Sequence, residues 1–478
     1  MPVEHPAHHA RPDALKCDPS GPEGPEEPSR SQTSLTWELL GLAWPIIGIN
    51  VLQVLSLAVD TAMVGRTAAA ETALTGMGYA SQVVFLLMVA MIGLTVGTVA
   101  FVSRAHGSGH DEQVDHILQQ STQLTIVLGA IIAVVGNLAA GPILATLGAD
   151  AAAMDAGLSY LRPLLTFTVF SYLNLLYAAV LRGLGNTRLA FVVSVLMNGL
   201  NVVFNYGLIL GNYGLPALGV QGAAIGTVLA QAIAAALMFG LLYRGTMPGV
   251  RTTLRIAPVD TELARDLVRI GWPAATDMVV LNAGFLAIIG MLGRIDQHAV
   301  AAHGVGLRIQ ALAFVPGMSI SQATGAMVGA ALGREHIEEA RRILRSSVVL
   351  CTVAMSSMGL AIVAFSGQIV ALFDIPPGEL ADYAVLWLEI LAASMPVVGI
   401  YIALVGLLQG SGATRESLRI NIFMTLLFQI PMSYLLGFTF GLGAMGVWGA
   451  VPLAFAGKAV WGFFAYRSER WAQTGATV

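Results

Sequence analysis

Long apolar runs alternate with short polar connections along almost the whole chain. They fall at about 38–63, 78–102, 117–140, 157–181, 188–211 and 219–243, and after a break at about 267–292, 303–331, 345–366, 383–408, 416–440 and 444–466. A helix needs about 20 residues to cross the hydrocarbon core of a bilayer, so each run predicts one transmembrane helix. The expected fold is an all-α polytopic membrane protein with twelve such helices. Within the runs the polar positions are few and spaced by turns. In the first, Asn50, Gln53, Ser56 and Asp60 fall on one face at ~100° per residue. In the fifth, Ser194, Asn198, Asn201 and Asn205 project within roughly 60° of one another.

The pattern repeats. Trp44, Pro45, Gly65 and Arg66 recur as Trp272, Pro273, Gly293 and Arg294 at an offset of 228 residues. LRGLGNTR at 181–188 matches LQGSGATR at 408–415, and Gly219-Val220 matches Gly446-Val447, at an offset of 227. Each repeat holds six helices, an even number that returns the chain to its starting side. Both halves then enter the membrane in the same direction, so the two lobes are expected to be related by an axis along the membrane normal. The expected divisions are a disordered cytoplasmic tail at 1–35, lobes at 36–243 and 267–467, a linker at 244–266 and a short tail at 468–478. Within the linker region, PVDTELARDLVRIGWP reads as a short amphipathic helix at the inner interface.

Composition narrows the class. Hydrophobic residues make up 56% of the 478 and charged residues 11%, against about 25% charged in soluble domains. The mean hydropathy is +0.74. Net charge of −4 carries no sign of nucleic acid, because the charges are sorted by loop. Of the 24 Lys and Arg, only Arg66, Arg162 and Arg294 fall on one side, with Arg308 and Lys458 inside helices. The rest gather on the other side, which the positive-inside rule makes cytoplasmic, with both termini. The two cysteines, Cys17 and Cys351, suggest neither a disulfide framework nor a metal cluster. His5, His8 and His9 read as part of a solvated tail.

Asp60 is the leading functional candidate. An ionised carboxylate in hydrocarbon costs several kcal/mol and is normally turned toward a protein interior or wet cavity. The second repeat has Ile288 at the equivalent position. The asparagine stripe of the fifth segment could line a cavity or bridge helices. Ser171, Asn174 and Tyr177, about a turn apart on the fourth, are candidates to complete the same pocket. Asp277 is either a second titrating group or a cap following Pro273, and Arg308 either an ion-pair partner or a substrate contact. Glu389 reads as solvated. Pro45 and Pro273 lack a backbone N–H and should bend their helices.

These residues resemble a known family. Pro45, Asp60 and VDTAMVGR, together with LRGLGNTR, NVVFNYGLILGNYGLPALGVQGAAIGT and AAHGVGLRIQ followed by VGAALG, look like the multidrug and toxic compound extrusion transporters. They come nearest to the branch named for DNA-damage-inducible protein F. The similarity spans about 36–467. It implies export of organic, often cationic compounds coupled to proton or sodium entry, with an ion gradient as energy source and no cofactor or metal. Many members carry Asn-x-x-x-Asp on the fifth helix, near a proposed sodium site; here the second position is Asn205, after Asn201. One carboxylate with amides is a poorer cage for a hard cation than two carboxylates, which favours protons. The tenth helix has an apolar residue, about Val398, where another branch has an acid.

The resulting expectation is a bacterial inner-membrane antiporter, functional as a monomer, with coupling at Asp60, Asn201 and Asn205. Gln53, Ser56, Asn174, Tyr177, Asn198 and Asp277 are expected to line the cavity or meet substrate. One competitor is a lipid-linked precursor flippase of the same superfamily, which would want basic residues in the cavity. The other, an intramembrane enzyme, would need a convergent catalytic set. His106, His110, His116, His298, His303 and His336 lie mostly in loops.

Overall fold

A computed structural model describes residues 31–67, 69–245, 258–373 and 375–473. Among these the chain is helical throughout, without strands. The helices are α1 (Gln32–Val64), α2 (Ala70–Gly107), α3 (Asp111–Thr146), α4 (Ala151–Thr166), α5 (Thr168–Gly183), α6 (Thr187–Leu210) and α7 (Val220–Tyr243). They continue as α8 (Thr261–Leu292), α9 (Gln297–Ala313), α10 (Val315–Gly333), α11 (Ile337–Ala371), α12 (Glu379–Gly410), α13 (Thr414–Thr439), α14 (Gly443–Arg467) and α15 (Arg470–Gln473). Ten are long and apolar enough to cross a membrane, and the bent pairs α4–α5 and α9–α10 complete twelve spans. Polar caps mark several starts. Asp150 accepts from the backbone N–H of Ala153 at 2.7 Å and Asn186 from that of Leu189 at 3.2 Å. Gly211, with φ +74°, closes α6 in the left-handed conformation that glycine adopts without strain.

The breaks fall away from the prolines singled out by the sequence. α1 and α8 run unbroken through Pro45 and Pro273. The chain turns instead by 55° at Phe167 and 42° at Phe314. Pro163 stands one turn before the first break and Pro316 just after the second, where each removes a backbone donor. α13 is also irregular: residues 422–429 and 435–439 wind as π-helix on either side of Pro431. The amphipathic stretch at the linker's end is no separate helix; from Thr261 it forms the first turns of α8. Its start is fastened to α3, where Gln120 Nε2 donates to the Pro258 carbonyl at 2.9 Å and His116 meets Asp260 at 3.0 Å. The tail residues before 31 and the linker residues 246–257 lie outside the described chain, and α1 already begins at Gln32.

Two lobes form, but the first helix of each changes partners along its length. Leu35, Leu39, Ala43 and Ile46 pack in a core with α10, α11 and α12, whereas Ile49 and Val64 belong to the core of the first lobe. α8 does the reverse, placing Leu267 and Ile270 in the first lobe's core and Ile288 and Met291 in the second's. The lobe boundaries at 36 and 267 therefore cut through helices shared by both lobes. Pro45 and Pro273 sit near these changes of partner.

Small residues let the lobes approach. A Cβ on Gly93 would meet the Gly271 carbonyl oxygen at 2.6 Å, and one on Gly107 would meet that of Ala330 at 2.1 Å. These close crossings, with Gly97 on Leu267 and Gly333 on Arg104, lie toward the end carrying Arg104, Arg334, Arg341 and Arg342. Asn50 Nδ2 donates across the lobes to Ser319 Oγ at 3.0 Å. The molecule is therefore held together from mid-depth to its basic end.

Candidate functional site

Asp60 lies on α1 four residues before Val64, toward the end opposite the basic one, and is 7% exposed. Its neighbour on α6 is Asn205, fully buried, which donates Nδ2 to Asp60 Oδ1 at 2.7 Å. The same Nδ2 lies 3.3 Å from Asn201 Oδ1, which also accepts from Ser56 Oγ at 3.2 Å. Asn201 Nδ2 donates in turn to Thr227 Oγ1 of α7 at 3.0 Å. Three helices thus meet through one polar chain that ends on a single carboxylate. No basic side chain pairs with Asp60 among the described residues, and Asn205 Oδ1 is buried without a hydrogen-bond partner.

The fit depends on local sequence. The four-residue spacing of Asn201 and Asn205 stacks both amides on one face of α6. Gly226 makes room for them, since a Cβ there would lie 2.1 Å from Asn205 Oδ1. Thr227 follows it directly and escaped the sequence reading, because a lone threonine in an apolar helix carries no periodic signal. The neighbouring Gly222 and Gly226, four apart, could have pointed to it: they mark the face on which α7 approaches α6.

Beside this chain an open groove of about 280 Å³, the cavity of this site, runs between α1 and α6, walled by Leu52, Leu55, Ser56, Val59, Asn198 and Val202, with Leu55 and Val202 exposed. It is apolar, and no Lys or Arg lines it. Ser56 touches both the cavity and the polar chain, and Val59 adjoins Asp60. The oxygens of Asp60, Asn201, Asn205, Thr227 and Ser56 are the groups available to a cation there, one carboxylate among four neutral donors.

Most of the other expected residues go elsewhere. Asn50 leaves the Asp60 face to bridge the lobes. Gln53 is exposed, and Asn198, a cavity wall, donates to the Ser194 carbonyl of its own helix. Ser171 and Asn174 bind Gln231 of α7 instead of joining the pocket, and Tyr177 is buried in the lobe core. Arg308 is exposed and makes no ion pair among the described residues, and Glu389 is exposed. Val398 is fully buried in the second lobe's core. Asp277 caps nothing: the N-cap of α8 is Asp260, and Asp277 accepts from Asn421 Nδ2 at 2.7 Å and Ser417 Oγ at 3.0 Å.

The sequence profile of the MatE family matches residues 45–207 and again 273–435, together more than half of the chain and separated by the same offset of 228 that relates the two repeats. The chain belongs to the MatE family. Its members are membrane transporters, not enzymes, and the twelve-span, two-lobe architecture is theirs. A relative from Thermotoga maritima, described as a probable multidrug resistance protein NorM, is 26% identical over 421 residues, covering 88% of this chain and 90% of its own. A NorM multidrug resistance protein of Burkholderia vietnamiensis is 28% identical, with 88% and 91% covered. Among solved structures, a MATE protein in the bent conformation superposes with a TM-score of 0.84 at 23% identity, covering 93% of this chain and 100% of that one. The outward-facing conformation of a multidrug resistance MATE family transporter also gives 0.84 at 23%, with 94% and 100% covered. For this MATE protein those superpositions speak to fold alone.

Proposed function

We propose that this MATE protein exports amphipathic, often cationic organic molecules across a bacterial inner membrane in exchange for protons, by alternating access. The observation that carries the reading is the buried carboxylate of Asp60, held by the Asn205 amide at the end of a chain of amides and hydroxyls and flanked by an apolar cavity. An ionised acid in that setting is costly; a proton on Asp60 removes the charge and alters what Asn205 can donate to. The ion then biases the lobe between two arrangements, because a ligand shifts an equilibrium only by its different affinity for the two states. Sodium is the poorer fit, since one carboxylate supplies little charge to offset its lost hydration.

Positive charge gathers at the end where the lobes touch, and the positive-inside rule makes that end and both termini cytoplasmic. The described state is then closed toward the cytoplasm. The apolar cavity suits tolerant recognition of bulky organic molecules, in keeping with the multidrug resistance named for the relatives. The space beside Asp60 has none of the basic lining that a flippase for lipid-linked pyrophosphates would want. The residues VDTAMVGR and LRGLGNTR support placement near the DNA-damage-inducible F branch. A monomer contains every group invoked. Expression in cells stripped of their own efflux pumps should lower accumulation of a lipophilic cation, and Asp60→Asn, present at equal level, should restore it. Unchanged extrusion by that variant would overturn the reading.

A further inference from the structure

The second lobe hides a charge pair that the exchange reading does not use. Asp277 on α8 is 3% exposed and Lys458 on α14 is 1% exposed. Both Asp277 oxygens are engaged, by Ser417 and Asn421 of α13. Lys458 makes no contact ion pair among the described residues; its Nζ lies 4.9 Å from the ring centre of Phe455 and 5.6 Å from that of Tyr401 on α12. Tyr401 is buried beside them, its hydroxyl facing Asn421 and Ser417. Directly after Asn421 the helix opens into its π-helical stretch, a winding found often at functional sites.

The parallel with the first lobe is close but not symmetric. Each lobe sets an aspartate of its first helix against an asparagine of its fifth span. Yet Asp277 stands 11 residues before Ile288, the equivalent of Asp60, which is about 16 Å nearer the basic end at 1.5 Å per residue. A duplicated relic would keep its register. Asp277 has its own register and a lysine that the Asp60 chain lacks.

We propose that Asp277 is a second proton-binding site, with Lys458 the positioning residue that governs how readily the proton leaves. It deepens the exchange reading above, adding a second proton to the same cycle. One proton binds a carboxylate oxygen of Asp277, and the O–H bond breaks again when the proton passes to water. The Lys458 ammonium favours the ionised carboxylate across the low-dielectric gap. The titratable groups facing the site are Asp277 from α8, Tyr401 from α12 and Lys458 from α14, while α13 supplies neutral Ser417 and Asn421. Glu416 and Arg419 of α13 bind each other and Trp461 instead. α2 crosses α8 through Gly93 and Gly97 and brings no charge.

Infrared difference spectra of the protein in lipid vesicles, recorded while the pH is varied, read buried carboxyl groups directly. The wild type should show two titrating carboxyl bands, one lost in Asp60→Asn and the other in Asp277→Asn. Lys458→Met, which keeps Asp277, should retain the second band and move its midpoint to higher pH. A spectrum in which Asp277→Asn removes no band, or in which Lys458→Met leaves the midpoint in place, would overturn the proposal. A wild type that lacks only the band assigned to Asp60 would instead overturn the exchange reading and leave Asp277 standing.

Discussion

At the scale of single residues, the site rests on how few polar atoms stand in so apolar a protein. Asp60 could be singled out because an acid in a membrane helix is rare and expensive. Its partners Asn201 and Asn205 showed as a stripe at helical spacing. Thr227 and Gly226 did not, since their part depends on how α7 packs on α6, and no local pattern records that. Gly226→Ala should therefore be felt. The added methyl meets Asn205 Oδ1, and overpacking of this sort costs about 1–3 kcal/mol, so thermal unfolding should shift downward and transport should weaken with it. A fully stable, fully active variant would show that the polar chain tolerates displacement. A second residue-scale prediction concerns Asp260, outside the membrane spans. Backbone N–H of Leu263, then His116, hold its carboxyl below the usual carboxylate range. A depressed acid stabilises the fold above its unfolded value and loses that contribution as pH falls through its folded value. The protection of the Leu263 amide against exchange, taken relative to its intrinsic rate at each pH, should fall on acidification in the wild type, and Asp260→Ala should abolish that acid dependence.

Among the elements, the count of spans was legible from hydropathy alone, and the duplication from matched tryptophans, prolines and glycines. The breaks were not, because a proline sets where a donor is missing, while neighbouring helices decide whether the helix breaks there. α1 and α8 are continuous through Pro45 and Pro273, and the breaks occur at Phe167 and Phe314. The sharing of α1 and α8 between lobes was equally hidden, as both are apolar on most of their surface. That sharing has a consequence for motion. Each first helix is anchored in the opposite core by its starting turns, so the rocking that the exchange reading calls for would be absorbed near Pro45 and Pro273. If so, the curvature of α1 should differ between proteins trapped open to either side; equal curvature would place the hinge elsewhere. The Asn50–Ser319 bridge gives a second handle. In a background without native cysteines, Asn50→Cys and Ser319→Cys joined by a short cleavable reagent should stop transport, and cleavage should restore it. Continued transport while joined would mean that this seam does not open.

Across the whole molecule, charge and packing tell one story. Arginines cluster at the end where glycine seams bring the lobes together, and the Asp60 chain lies toward the other end, beside an apolar cavity. On the exchange reading, opening and closing at opposite ends would expose Asp60 to each side in turn, and a lone acid among amides takes a proton as its passenger. The most direct check is efflux of a cationic dye from everted vesicles, wild type against Asp60→Asn, energised by a proton gradient and then by a sodium gradient. The wild type should respond to the proton gradient and not to sodium, and Asp60→Asn, though folded, should respond to neither. Sodium-driven efflux by the wild type, or unimpaired proton-driven efflux by the variant, would contradict the account.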